Sequence, residues 1–433
     1  MKSLSNDAHG WAELLSTRQA TPPFQGEKRT RWAVIGAGFT GLACARRLAE
    51  LHPDDSIILL EARAVAQAAS GRNSGYAVAI THFAGPFDEQ QSGNYRRVNR
   101  INTTGLDILR DQVEANEIDC EWHEQGIYHT AADDRSTQEL ANFTDYLQRM
   151  EIPHTPLDQE VLTEKLGTSW YQQGVHVQVG ALVQPAALLY GLVNTLPANV
   201  QLYENSPVLE IKKGQGHKLC TANGTIEADN VMIATNFEAA RLGQIERYVV
   251  GSTLSGSFTR QLSADEIASL GTLPQWGVLS LHSGGATVRL TQDGRICIRN
   301  TAEYHAGRLL SESLLAQRQQ IHRQGFENRF PQLRHVPFEY AWSGVEGISQ
   351  NGTNFFQNPA PGLYLAGGYN GSGVSRGTAF GHALAEYASG GQSQLIDDCL
   401  ACPAARWLPP SPLLDIGAWF TVRKRFRGVG RDR

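Results

Sequence analysis

Gly36, Gly38 and Gly41 form a G-x-G-x-x-G spacing, Gly36-Ala37-Gly38-Phe39-Thr40-Gly41, directly behind the apolar run Arg31–Ile35. Where the run is a strand and the last glycine opens a helix, this spacing binds an anion. The first glycine permits a tight turn, the second lets backbone approach a pyrophosphate, and the third packs helix on strand. Free N–H groups and the dipole at the helix N-terminus then face the negative charge. Glu61 follows Gly41 by 20 residues, where a carboxylate accepts hydrogen bonds from a ribose diol and disfavours a 2′-phosphate. These residues specify an ADP-bearing cofactor and leave NAD and FAD undivided.

The elements that must position them read from the same stretch. Leu42, Ala45, Leu48 and Ala49 repeat at helical spacing up to Leu51, and Pro53-Asp54-Asp55 breaks the helix. Ser56–Leu60 is a buried strand ending at Glu61. Strand, turn, helix and strand over about 30 residues make a parallel βαβ unit. Helices are expected at Gln90–Asn116, Gln138–Met150, Gln159–Leu166 and Pro185–Leu196, and strands at Trp122–Ala131, Val200–Tyr203 and Val208–Lys212. A hairpin over Lys218–Ile226 leads to the apolar run Asn230–Ala234, which reads as a central parallel strand. From about 246 to 340 the texture is β-rich, with strands at Gly277–Leu281, Ala286–Thr291 and Arg295–Asn300, then a long helix at Ser311–Arg329. The chain returns to a buried strand at Gly362–Ala366, a glycine-rich loop and a helix from Gly377 to Ser389. The fold class is α/β: a discontinuous Rossmann-like domain with an inserted antiparallel-sheet α+β domain.

Bulk composition excludes several classes. The chain has 433 residues, a formal net charge of −5, 41% hydrophobic and 19% charged residues. That leaves room for two or three domains at about 150 residues each. It also excludes a disordered chain and offers no basic face for nucleic acid. Six cysteines are too few for a disulfide framework. Cys399 and Cys402 form a lone CxxC behind the helical run Gln394–Leu400, with no second pair to complete a zinc site, so no metal is expected. The first thirty residues lack the apolar core of a secretory signal, and no run of about 18 apolar residues occurs. The expectation is a cytoplasmic enzyme with no integral membrane segment. Arg423–Arg433 carries six Arg or Lys against one Asp and reads as a solvated, frayed terminus. With Trp419 and Phe420, this basic tail leaves peripheral membrane contact open.

Further motifs divide FAD from NAD by resemblance. Glu61-Ala62-Arg63 is followed by Ala69-Ser70-Gly71-Arg72-Asn73-Ser74-Gly75, Ala228–Asn236 reads ADNVMIATN, and Gly362–Gly377 reads GLYLAGGYNGSGVSRG. With these, from about Arg31 to Pro410, the chain resembles the glycine oxidase/D-amino-acid oxidase (DAO) family of FAD-dependent oxidoreductases. The nearer likeness is to the γ-glutamylputrescine oxidase-like branch. The resemblance implies that Ser70–Gly75 run beneath the pyrophosphate and isoalloxazine, with Gly71 and Gly75 letting backbone lie against a flat ring. Arg72 then offsets phosphate charge or caps a helix. Val208 would meet the adenine through its backbone, and Ala234 and Thr235 would return to the nucleotide. Gly368, Asn370, Gly371, Ser372, Gly373 and Val374 would lie by the flavin pyrimidine, stabilising negative charge at N1–O2, with Gly344 of Trp342-Ser343-Gly344-Val345 nearby. Relatives with covalent flavin carry a His in the first loop or a Cys in the last. Here Asn73 and Ser74 stand in the former and Gly367–Gly377 has no Cys, so FAD is expected to be non-covalent. The implied organisation is glutathione-reductase-like: an extension (1–28), an FAD-binding domain (29–115, 174–245 and 340–398), a substrate domain (116–173 and 246–339) and a tail (399–433).

The substrate side carries less signal. The implied chemistry, oxidation of an amine or amino acid, needs orientation over the flavin rather than an acid–base triad, and no catalytic residue is identified. With a two-residue Asp293-Gly294 turn, Thr291 faces Ile296, Arg289 faces Ile298 and Val288 faces Arg299. Arg289 and Arg299 then point to opposite faces, so at most one reaches the cofactor and can clamp a carboxylate. Each reads equally well as half of a structural ion pair. His282 orients an amine or is a core histidine. Trp342 and Tyr369 are candidate wall or lid aromatics. Ser280–Ala286 (SLHSGGA) is small and glycine-rich where relatives place larger side chains. Three functions stand: an FAD-dependent oxidoreductase acting on a C–N bond by hydride transfer to flavin N5 with imine hydrolysis, an NAD-dependent dehydrogenase, or a flavin-binding protein with a structural or regulatory role.

Overall fold

Strands gather into two eight-stranded sheets in the structure, a computed structural model that describes residues 9–81, 83–214, 216–282 and 284–433. The first eight residues of the stretch searched for a secretory signal, and Ser283 of SLHSGGA, lie outside the described residues.

The first sheet runs in the order Phe355–Ala360, Leu363–Gly367, Gly224–Ile233, Gly26–Ile35, Ile57–Leu60, Val200–Tyr203. Along this path all neighbours are parallel except the first pair, and the strands Gly216–Cys220 and Glu210–Gly214, which extend antiparallel from Gly224–Ile233, complete the eight. Ile35 pairs with Ile233 on one side and Leu60 on the other, so the central strands end together at Gly36, Glu61 and Ala234. Ligands of parallel sheets bind at these carboxyl ends. The strand residues Val34, Ile57, Leu59 and Met232 are buried, as expected where helices cover a parallel sheet.

The second sheet runs Phe338–Ser349, Val249–Thr259, Ile296–Tyr304, Thr287–Leu290, Trp276–Ser280, Ile127–Ala131, Gln173–Val177, His154–Asp158. It is antiparallel except where Trp276–Ser280 meets Ile127–Ala131. The helix Glu312–Arg329, capped by Ser311, buries Phe326 in a core with Trp276 and Phe330. Residues 174–177 and 340–349, assigned above to the nucleotide domain, hydrogen-bond into this second sheet.

The hairpin register differs from the expectation by one residue. Leu290 pairs with Ile296, Arg289 with Cys297, Val288 with Ile298 and Thr287 with Arg299. The Thr291 N–H donates to the Arg295 carbonyl, leaving a three-residue loop in which Gly294 takes the positive φ of 76° that such loops require. Because side chains alternate along a strand, one extra loop residue puts Arg289 and Arg299 on the same face.

The tail does not fray. Leu413–Arg427 is a helix, and beyond it Asp432 is buried. The Asp432 carboxylate accepts from Ser280 Oγ at 2.8 Å, and its carbonyl accepts from the Ala286 N–H at 2.7 Å. Arg329 donates to the carbonyls of Asp432 and Arg433 at 3.0 and 2.9 Å.

Candidate active site

One continuous cavity of about 1840 Å³ lies between the sheets. At its nucleotide end, Glu61 is fixed by backbone: the Ala37 N–H donates to Oε2 at 2.9 Å and the Arg63 N–H to Oε1 at 3.0 Å. Burial in the cleft raises the carboxyl above its ordinary value, and these amides offset part of that. The helix Phe39–Leu51 starts at Gly38 without a side-chain cap, and Gly38, Phe39 and Thr40 line the cavity. The buried hydroxyl of Thr235 has no hydrogen-bond partner and also lines it. An open helix N-terminus, an anchored carboxylate and an orphaned hydroxyl fit a dinucleotide with an unphosphorylated ribose.

The loop Ala69–Gly75 forms the next stretch of wall. Asn73 holds its shape, accepting from the Gly75 N–H at 2.8 Å and donating to the Ser70 carbonyl at 2.6 Å. Arg72 is buried and ties the loop across to the second sheet. Its Nε donates to the Gln67 carbonyl at 2.9 Å and its Nη1 to the Ser343 carbonyl at 3.1 Å, while Trp342 Nε1 donates back to the Arg72 carbonyl at 3.0 Å. On the opposite side, the Gly368 N–H donates to Asn236 Oδ1 at 2.8 Å, and Asn370 Oδ1 accepts from the Ser349 N–H at 2.9 Å. Thr40 Oγ1 donates to the Tyr369 hydroxyl at 2.8 Å, so Tyr369 braces the two glycine loops against each other. Of the cofactor residues named from sequence, all but Ala37, Gly41, Gly71, Gly75 and Gly368 line the cavity.

The substrate candidates separate. Arg299, Thr287, Leu279 and His129 form a cross-strand row that lines the cavity, and Arg299 Nη2 donates to Thr287 Oγ1. Arg289 shares their face but is covered by Tyr76, whose hydroxyl donates to the Val288 carbonyl at 3.0 Å. Arg289 does not line the cavity. It reaches the Val183 and Gly75 carbonyls at 2.6 and 3.1 Å and stacks on Trp11. Only one of the two arginines reaches the cavity, and the cause is the short strand Tyr76–Ala77 that covers Arg289 rather than opposite pleats. His282 lines the cavity too, its Nδ1 accepting from the Gly284 N–H at 3.1 Å. Trp342 is a buried wall residue packed on Phe258 and Trp11.

Several cavity or supporting residues had no local sequence signal. His129, Glu346 and Tyr304 line the cavity from strands brought together by long-range pairing. Trp11 is fully buried and donates to the Asn73 carbonyl at 2.7 Å. Arg18 donates to both carboxylate oxygens of the buried Glu204 at 2.8–2.9 Å, so residues 9–24 belong to the body of the protein. The roof is the helix Leu413–Arg427, with Leu414, Ala418, Thr421 and Val422 facing in. Cys399 and Cys402 are free thiols away from the cavity, and among the described residues no cluster of metal ligands occurs.

Burial raises the Asp432 carboxyl that closes this roof from 3.8 to about 6, opposed by Ser280 and Arg329. A carboxyl raised in the folded state favours folding below its unfolded value, and that contribution is lost as pH rises through the folded one. Asp432→Asn, which mimics the protonated acid, is therefore expected to raise the thermal midpoint above pH 6. The gain is about 3 kcal/mol at most, and it should vanish below about pH 4. A gain independent of pH would contradict this assignment.

A parallel sheet ending on a diphosphate loop, closed by an antiparallel sheet over one long cavity, is the build of a dinucleotide-dependent oxidoreductase. The chain belongs to the DAO family of FAD-dependent oxidoreductases, whose family model matches residues 31–387. The family decides the dinucleotide in favour of FAD. The chain is 27% identical to the probable oxidoreductase OrdL of Haemophilus influenzae over 400 residues, 86% of each chain. It is 26% identical to gamma-glutamylputrescine oxidoreductase of Escherichia coli over 375 residues, 82% of this chain and 83% of that one. Its fold is similar to that of glycine oxidase from Geobacillus kaustophilus, with a TM-score of 0.72, 18% identity, and 84% and 96% of the two chains covered. L-proline dehydrogenase from P. horikoshii gives a TM-score of 0.66 at 16% identity, covering 87% and 96%. No helix among the described residues is long and apolar enough to cross a membrane.

Proposed function

We propose that this enzyme oxidises a C–N bond of a small amine or amino acid with non-covalently bound FAD. The observation that carries the reading is the single cavity joining the Glu61 end to the Arg299–His129 row. Glu61 would take the ribose, the Gly36–Gly41 turn the pyrophosphate, and Ser70–Gly75 with Gly344 and Asn370–Val374 the isoalloxazine. When bound, FAD supplies a hydride acceptor at N5, and the imine left on the substrate hydrolyses in water. Arg299 clamps a substrate carboxylate, while the apolar inner face of the roof helix excludes water from the reacting carbon. The names of the relatives support the substrate class, since gamma-glutamylputrescine, glycine and L-proline are all amines or amino acids. All six cysteines are free thiols, which supports a reducing compartment such as the cytoplasm.

The test is anaerobic mixing with a panel of amines and amino acids, following the flavin band. A panel in which no compound bleaches the band overturns the reading. For a carboxylate-bearing substrate, Arg299→Leu is expected to raise KM about thirtyfold, the loss of about 2 kcal/mol of charge-assisted hydrogen bonding. Substrates without a carboxylate should be unaffected. Acid precipitation should leave the flavin in the supernatant. Cys297 does line the cavity, but burial pushes its thiol up to about 12, and the thiolate needed for attachment is scarce at neutral pH. Colour retained in the pellet would contradict non-covalent binding.

A further inference from the structure

The roof helix Leu413–Arg427 has two unlike faces. Its inner face carries Leu414, Ala418, Thr421 and Val422 against the cavity. Its outer face leaves Ile416, Trp419 and Phe420 exposed at 53%, 50% and 61%, and Leu413, at the rim of the cavity, is exposed at 63%. At 100° per residue, Leu413, Ile416, Phe420, Arg423, Lys424 and Arg427 fall on one stripe, with Trp419 at its edge. The stripe is apolar in its first two turns and basic in its last two. Arg423 sits over the Trp419 ring, 4.9 Å from its centroid.

The helix is held firmly enough to present this face. Asp415 Oδ1 accepts from the Tyr304 hydroxyl at 2.8 Å. Past its end, Arg135 donates to the Gly428 carbonyl at 2.8 Å, and the Arg431 N–H donates to Asp133 at 2.9 Å. Large apolar side chains lying beside cations on one helix face match the acyl boundary and the anionic headgroups of a bilayer surface. A second copy packed antiparallel on this helix would set its basic half on the apolar half, leaving the cations without anionic partners, whereas Arg423–Arg433 carries six Arg or Lys against one Asp in a chain of net charge −5.

We propose that the outer face of Leu413–Arg427 docks the enzyme peripherally on anionic lipid, with the cavity roof lying against the membrane. The occupant is the lipid surface itself, and the inference stands whatever substrate the cavity takes.

The test is sedimentation of the intact holoenzyme with vesicles of phosphatidylcholine alone or with 30% phosphatidylglycerol. Binding to the anionic vesicles only is expected. It should be released in 1 M salt, where the screening length falls to about 3 Å. Trp419→Ser with Phe420→Ser should abolish it. Arg423→Gln with Lys424→Gln should weaken it about thirtyfold, at about fivefold per basic side chain. All these variants should keep their bound flavin, because none of the substituted residues lines the cavity. Failure to sediment with anionic vesicles overturns the proposal, as does equal sedimentation of the variants. A dimer in solution that the Trp419 and Phe420 substitutions dissociate would assign the face to a second copy instead.

Discussion

Gly41→Val should yield a protein that purifies without its yellow colour. A Cβ at position 41 would run into the Gly36 carbonyl oxygen, stand 2.8 Å from its carbonyl carbon and meet the Ala234 Cβ at 3.5 Å. The obstacle is backbone, so no side chain can rotate away. The helix Phe39–Leu51 must move off the strand Gly26–Ile35, and its N–H groups move with it. Overpacking of this kind costs about 3 kcal/mol, and spent on the pyrophosphate site it lowers FAD affinity more than a hundredfold. The readout is the ratio of flavin to protein absorbance after gel filtration. Gly93→Ala is the control, because nothing lies within 4 Å of the added carbon, and it should retain full flavin. A Gly41→Val protein carrying wild-type flavin would remove the helix N-terminus from the cofactor site.

The nucleotide half was readable because its information is local. Strand, turn, helix and acid fall within Arg31–Glu61, and each residue type there answers a backbone need that the neighbours impose. The expected strand Ser56–Leu60 and helix Leu42–Leu51 differ from Ile57–Leu60 and Phe39–Leu51 only at their ends, where assignments are least fixed. The second sheet was less readable because its information is distant. Val249–Thr259 and Phe338–Ser349 pair along their whole length, yet serines and glycines at Ser252, Ser255, Gly256, Ser257 and Gly344 erase the apolar alternation that marks a strand. The roof depends on Asp432 meeting Ser280, a contact no spacing within the tail announces. One loop residue more than a two-residue turn at Gln292-Asp293-Gly294 reverses the relative orientation of Arg289 and Arg299, from opposite faces to one.

That reversal leads to the largest stability effect expected outside the cofactor site. Arg289→Met should destabilise the protein by about 3 kcal/mol, as loss of one member of a buried ion pair does. Arg289 is buried at 1% exposure, with Nη1 on the Val183 and Gly75 carbonyls, its guanidinium over Trp11 and Nη2 3.7 Å from Glu121. It therefore joins the back of the flavin loop to the N-terminal segment and the second sheet. Methionine fills similar volume but supplies no donor, and it leaves Glu121 in place without its cation. Arg289→Lys should recover only part of the loss, because an ammonium cannot span the same carbonyls in a fixed plane. Burial already raises the Glu121 carboxyl, with Arg289 the main opposing influence. Without the arginine the carboxyl rises further, and a raised folded-state value means stability present at low pH and lost as pH increases. The deficit of Arg289→Met relative to wild type should accordingly be smallest near pH 4.5 and widen towards pH 7.5, measured as the shift in urea midpoint. Adding Glu121→Gln should close most of that widening. A deficit that is flat with pH and untouched by Glu121→Gln would mean that Arg289 acts through its carbonyl and Trp11 contacts alone.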